Sequence, residues 1–281
     1  MNAKRELTPQ EGQAMRIQMM KDEHIAAAEQ AILYMKSHLE DDITSEQLAA
    51  HVGYSPYHFT RIFKSVTGIS PRHYLSALRM ESGKSALLQA PSLLVKVLLS
   101  IGFRSAGSFN TRFKQQVGVP PRAFRIGSGA LTAYMNQFQN RELSLPVPGK
   151  EAAAQITCRI EAPASFRGLI FVGLFPRPIP DQRPIAGTAL AGGKRTCAFA
   201  DVPPGTYHAL AAGIPWSLRP KDYFVLERAI RGKYPSAIEV NEQTELGIAI
   251  QLRDPLPYDP PIVISLPQLL FEKNKESNTA K

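Results

Sequence analysis

The sequence predicts a multi-domain chain of α and β structure: an N-terminal all-α domain with two helix-turn-helix units joined by a linker helix, then a C-terminal β-sandwich. Three observations predict it. Residues 45–74 read as two short helices joined by a glycine turn, with a third beginning. The same pattern returns 50 residues later. Beyond residue 150 the hydrophobic period changes from helical to alternating.

The first stretch fixes its own punctuation. Leu48, Ala49 and Val52 recur at helical spacing, and Gly53 ends that helix because glycine takes the left-handed C-cap conformation without a Cβ penalty. Ser55 is a good N-cap, and Pro56 fits the first helical position. Phe59, Ile62 and Phe63 then lie on one face of a second helix. Two short helices joined in this way make a helix-turn-helix, whose second helix enters the DNA major groove.

The repeat is detailed. Leu48 pairs with Val97 and Gly53 with Gly102, an offset of 49. Phe59 pairs with Phe109, Phe63 with Phe113, Gly68 with Gly118 and Pro71-Arg72 with Pro121-Arg122, an offset of 50. The one-residue change falls in the turn, where insertion costs least. A match of this detail marks an internal duplication.

The phrases ITSEQLAAHVGYSPYHFTRIFKSVTGISPRHYLSALRMESGKSALL and IGFRSAGSFNTRFKQQVGVPPRAFR carry a family resemblance. Residues 24–126 resemble the DNA-binding domain of the AraC/XylS family of bacterial transcriptional regulators. The resemblance implies two groove-reading helices and a linker helix that sets their separation. In most of that family this domain follows its partner domain; here it precedes the β-rich half, which the resemblance does not cover.

In order, 1–23 is expected to be a flexible arm, or a helix from about residue 10 that runs into the next one, and 24–126 the DNA-binding domain. Its helices are expected at 24–39, 45–52, 56–66, 71–89, 93–100 and 106–116, with a seventh starting at Pro120-Pro121. Residues 127–150 read as a linker with a helix inside it at about 130–140, carrying Leu131, Tyr134, Met135 and Phe138; 151–275 read as the sandwich, and 276–281 as a disordered tail. The 71–89 helix would be about 28 Å long at 1.5 Å per residue, and two groove entries on one DNA face lie about 34 Å apart.

In the first unit the inward aromatic face leaves Tyr57, Thr60 and Arg61 together outside, for base reading. Arg61 can donate two hydrogen bonds to a guanine edge. In the second unit Ala106, Gly107, Asn110 and Thr111 face outward, and Asn110 can pair with adenine through two hydrogen bonds. Thr111 stands where Arg61 does, and Arg112 where Ile62 does. Fewer base contacts are therefore expected from the second unit. Phosphate contacts are expected from Ser55, Lys64, Arg72, Arg104, Ser105, Lys114 and Arg122, several of them at helix N-termini that attract anions. The competing reading of each basic residue is a solvated charge.

Charge agrees with this. The chain carries a net +9, and 24–126 holds twelve Lys and Arg against six Asp and Glu. Hydrophobic content of 44% is ample for buried cores and excludes a disordered chain. Cys158 and Cys197 make no disulfide scaffold and read as ordinary thiols. His24, His38, His51, His58 and His73 show no metal-ligand spacing, so no metal and no cofactor is expected. No membrane-spanning run or secretory leader stands out, and the expected location is cytoplasmic.

Strands are expected at 155–160, 168–175, 196–199, 207–212, 223–230, 246–252 and 262–266, with Pro/Gly turns between them. The phrase 199–207, FADVPPGTY, resembles a hairpin of transthyretin-like and carboxypeptidase-regulatory-like sandwiches, which carries no activity. Gly187 to Arg195 resembles a phosphate loop but has Arg195 where Ser or Thr is required. Trp216, Arg219 and Tyr223 are candidate effector-binding residues, with packing as the competing role. The chain is thus expected to be a sequence-specific regulator and not an enzyme. Double-stranded DNA is its partner, with RNA polymerase, a small-molecule effector and a second copy as further candidates. The alternatives are a DNA-targeted hydrolase or carbohydrate-processing enzyme, and an architectural DNA binder.

Overall fold

The computed structural model of the 281-residue chain describes residues 9–89, 98–139 and 156–279. The chain divides into two compact units: Met1–Leu75 with Pro257–Pro260, and Ser76–Leu256 with Pro261–Lys281.

The first unit contains α1 (Pro9–Ser37), α2 (Ser45–His51), α3 (Pro56–Thr67) and the opening of α4 (Pro71–Gln89). Helix α1 is continuous across the expected boundary at 23/24, because no Pro or Gly interrupts 13–37. Ala28, Ile32 and Met35 are buried, as are Leu48, Ala49, Phe59, Ile62 and Phe63. Each fully buried Leu, Ile or Phe contributes roughly 1.5–3 kcal/mol. Thr44 caps α2 through a capping box: Gln47 N–H donates to Thr44 Oγ1 at 3.2 Å, and Thr44 N–H to Gln47 Oε1 at 2.8 Å.

In the second unit, α5 (Ala106–Val117) and α6 (Pro121–Asn136) follow the remainder of α4. The helix expected at 93–100 lies largely outside the described residues. The duplication is visible in the backbone. Gly53 (φ 76°) and Gly102 (φ 74°) take the same left-handed conformation, as do Gly68 (φ 85°) and Gly118 (φ 96°). Gly83 lets α4 come close to Ile101 and to α5. A Cβ there would lie 3.1 Å from Ile101 Cδ1 and 3.4 Å from the Phe109 ring.

A chain of edge and tilted ring contacts runs Phe103, Phe109, Phe113, Phe124 and then Phe224, with centroids 5.2–5.5 Å apart. Helix α6 runs unbroken through the Gly127-Ser128-Gly129 stretch and takes in residues 130–136 of the helix expected inside the linker. Ser128, Thr132 and Met135 are buried on it. Their packing outweighs the roughly 1 kcal/mol that each helical glycine costs. Asn136 Nδ2 also donates to Ser217 O at 3.0 Å.

Two sheets form the β-rich region. One has the order β4-β1-β8, with β1 (Ile156–Glu161), β4 (Thr196–Phe199) and β8 (Leu246–Gln251). The other has the order β3-β2-β5-β6, with β2 (Gly168–Phe175), β3 (Ala186–Leu190), β5 (Gly205–Pro215) and β6 (Ile230–Lys233). Strand β7 (Ile238–Val240) also pairs with β5. Strand β1 runs antiparallel to β4 and parallel to β8. It alternates buried Ile156, Cys158 and Ile160 with exposed Thr157, Arg159 and Glu161. One apolar cluster collects residues of both sheets, among them Ile160, Val172, Leu174, Tyr207 and Ile250.

Three expectations are corrected. Residues 223–230 are not a strand: α7 (Pro220–Phe224) opens there, with Pro220 at its first turn, and β6 begins only at Ile230. Residues 262–266 form no strand either. Val263 and Ile264 N–H both donate to Pro180 O, at 3.1 and 3.0 Å, so their apolar run reflects burial without sheet pairing. The expected tail at 276–281 is helical as far as Thr279, the end of α8 (Leu266–Thr279). Asn274 on that helix donates to Tyr134 Oη, and Phe271 packs edge-on against Tyr134 at 5.3 Å.

Candidate nucleic-acid interface

Helices α3 and α5 are 12 residues each, and each ends on a left-handed glycine. Phe59, Ile62 and Phe63 are buried on α3, and Phe109 and Phe113 on α5. Burying those faces turns the opposite ones to solvent.

On α3 that face is Tyr57, 81% exposed, with Arg61 and Lys64, all at i, i+4, i+7. Among the described residues no ion pair engages Arg61 or Lys64. Thr60 is half-buried and its hydroxyl donates to Pro56 O at 2.9 Å, which leaves only its lone pairs to an outside partner. On α5 Ala106, Gly107, Asn110, Thr111 and Lys114 are exposed. Gly107 has open space where a Cβ would stand, so packing does not require glycine there. Arg112 is exposed where its counterpart Ile62 is buried.

The two cap serines differ. Ser105 is occupied: it accepts from Ser108 N–H at 3.2 Å and donates to Ser108 Oγ at 2.9 Å. Ser55 is exposed and makes no side-chain cap bond, which leaves its hydroxyl and the first N–H groups of α3 for an anion. Arg72, Arg104 and Arg122 are all exposed.

The candidate effector residues lie on α7 and in the segment just before it. Tyr223 is fully buried; its hydroxyl donates to Asn136 Oδ1 and accepts from Ser217 N–H at 3.0 Å. That burial raises its pKa. Arg219 is exposed and pairs with Asp222 at 3.0 Å, and half-buried Trp216 donates its backbone N–H to Arg167 O at 3.3 Å. Tyr223 thus anchors α6. His38 stacks on Tyr34 at 4.1 Å, His51 meets the same ring tilted at 4.4 Å, and His58 meets Tyr54 tilted at 5.3 Å. Among the described residues no group of three His, Cys, Asp or Glu is arranged to hold a metal. No described helix is long and apolar enough to cross a membrane.

Sequence reasoning passed over Lys84. It is wholly buried and donates to Ile262 O at 2.9 Å and Val263 O at 3.0 Å. The only signal was a lysine near the apolar face of a helix.

Comparison with known proteins addresses the duplicated segment. The helix-turn-helix domain family matches residues 48–126. This segment is an AraC-type helix-turn-helix domain. The chain is 33% identical over 111 residues to the uncharacterised HTH-type transcriptional regulator YobQ of Bacillus subtilis, covering 40% of this chain and 46% of that one. It is 30% identical over 117 residues to the regulatory protein PocR of Salmonella typhimurium, covering 42% and 39%. The chain therefore spans less than half the length of these relatives. Among solved structures, the C-terminal domain of AraT, a response regulator from Geobacillus stearothermophilus, is 30% identical; the match covers 36% of this chain and 84% of that one, with a TM-score of 0.34.

Proposed function

We propose that the protein is a sequence-specific DNA-binding regulator of transcription. Its AraC-type domain reads two adjacent major-groove segments with α3 and α5. The observation that carries this is the recurrence of one design: two helices with identical glycine terminators, apolar inner faces and polar outer faces. Arg61 and Tyr57 read bases on the first segment, and Asn110 with Thr111 on the second. Lys64, Lys114, Arg72, Arg122, Arg104 and the hydroxyl of Ser55 grip phosphate. Ser105 serves mainly as a cap. Gly107 lets α5 approach the duplex closely. The β-rich region, whose two sheets share one core, acts as a sandwich that senses an effector or holds a second copy.

The test is selection of duplexes from a random library by the full chain. The expected result is enrichment of a motif with two conserved segments about one helical turn apart, the stronger one belonging to α3. Retention of all sequences alike would refute sequence reading and favour an architectural role.

A further inference from the structure

Cys158 and Cys197 are direct partners in the antiparallel register of β1 and β4. Their thiols share a hydrogen bond. Cys158 is fully buried in the core, whereas Cys197 is half-buried on β4, an edge strand of its sheet. The cationic Lys273 of α8 stands close enough to act on Cys197. We propose that Cys158 and Cys197 form a reversible redox site, with Cys197 the thiol that attacks hydroperoxides and Cys158 the thiol that resolves the product into an intrachain disulfide.

The asymmetry of the pair assigns the roles. The hydrogen bond from Cys158 and the charge of Lys273 lower the pKa of Cys197, while the shared bond and burial raise that of Cys158. Thiolate character and access both favour Cys197 as nucleophile. Its sulfur attacks one oxygen of the hydroperoxide; the S–O bond forms, the O–O bond breaks, and the other oxygen leaves as water or an alcohol after taking a proton. Cys158 sulfur then attacks Cys197 sulfur. The S–S bond forms, the S–O bond breaks, and the hydroxide takes the Cys158 proton and leaves as water. Two thiols have given two electrons to the peroxide.

The register favours a bond that is easily reversed. Ile160 N–H donates to Arg195 O at 2.7 Å, two residues along from the cysteines on each strand. By alternation, Cys158 and Cys197 are a hydrogen-bonded pair, whose Cα atoms lie about 5.5 Å apart and Cβ atoms about 5 Å. A disulfide prefers Cβ atoms at about 3.8 Å, so closing it strains the strands and makes it more reducible.

The experiment treats the full chain with equimolar hydrogen peroxide and follows intact mass, alkylatable thiols and dimedone capture. The wild type should lose two hydrogens and both thiols without forming covalent dimers, and dithiothreitol should restore them. Cys158→Ala should stop at a sulfenic acid that dimedone traps on residue 197. Cys197→Ala should react far more slowly, and Lys273→Met, which leaves both thiols in place, should slow the wild-type reaction several-fold. Retention of both thiols by the wild type would overturn the proposal. So would equal reactivity of the two alanine variants, or a product that is only an interchain dimer.

Discussion

Lys84→Met should destabilise the second unit and remove one pH dependence from it. The Lys84 side chain is wholly buried, with Nζ donating to Ile262 O and Val263 O at 2.9 and 3.0 Å. Methionine fills much of the same volume but leaves both carbonyls without that donor. An orphaned buried acceptor costs about 1–3 kcal/mol, and relief from burying an ammonium offsets part of the sum. The net loss near neutral pH should be about 2 kcal/mol. Burial lowers the Lys84 pKa from 10.5 to about 8, against the opposing charge of Glu81. Between those two values the unfolded chain binds the proton more tightly, so stability rises with pH. This contribution is complete above the unfolded value and lost as pH falls through about 8. At about 1.4 kcal/mol per pH unit, the wild-type advantage over the variant should widen by about 3 kcal/mol across that window. The chain has a single tryptophan, Trp216, in the same unit, so urea unfolding followed by its fluorescence at several pH values reads the difference. A gap that stays constant from neutral to alkaline pH would refute the reasoning.

Other substitutions probe the same architecture. Phe124→Ala cuts the ring chain between Phe113 and Phe224 and should cost about 3–5 kcal/mol by the same unfolding assay. Gly118→Ala forces a Cβ onto a φ of 96° and to 3.2 Å from Ile264 Cδ1, so it should cost more than the strain of about 1–2 kcal/mol. Gly53→Ala meets open space at its φ of 76° and should cost that strain alone; a thermal-shift comparison orders the two. Thr44→Ala removes the α2 capping box and should lower stability by about 1 kcal/mol.

The helical half was legible because its signals are local. Glycine terminators, Pro at first helical turns and phenylalanines at helical spacing act within a few residues, and α4 falls at the expected 71–89. The outward faces of α3 and α5 followed once Phe59, Phe63, Phe109 and Phe113 were turned inward. The intrahelical bonds of the Thr60 and Ser105 hydroxyls carry no sequence signal and become visible only in the fold. The β-rich half was less legible wherever tertiary burial overrides periodicity. Tyr223 and Phe224 looked like a strand because both are buried, yet they lie on a short helix against α6. Small β3 residues such as Ala186 and Gly187 carried no alternation to find. The helix expected at 130–140 is continuous with the one that starts at Pro121, because packing partners distant in sequence, such as Ser217 for Asn136, hold the Gly127-Ser128-Gly129 run helical.

Base reading by α3 is tested most directly by Arg61→Ala, with affinity measured on the selected duplex and on random duplex at one salt concentration. The expected loss on the selected site is about 1–3 kcal/mol, with relaxed preference at one base pair and little change on random DNA. An equal loss on both would mean that Arg61 grips phosphate only, and would contradict base reading by α3.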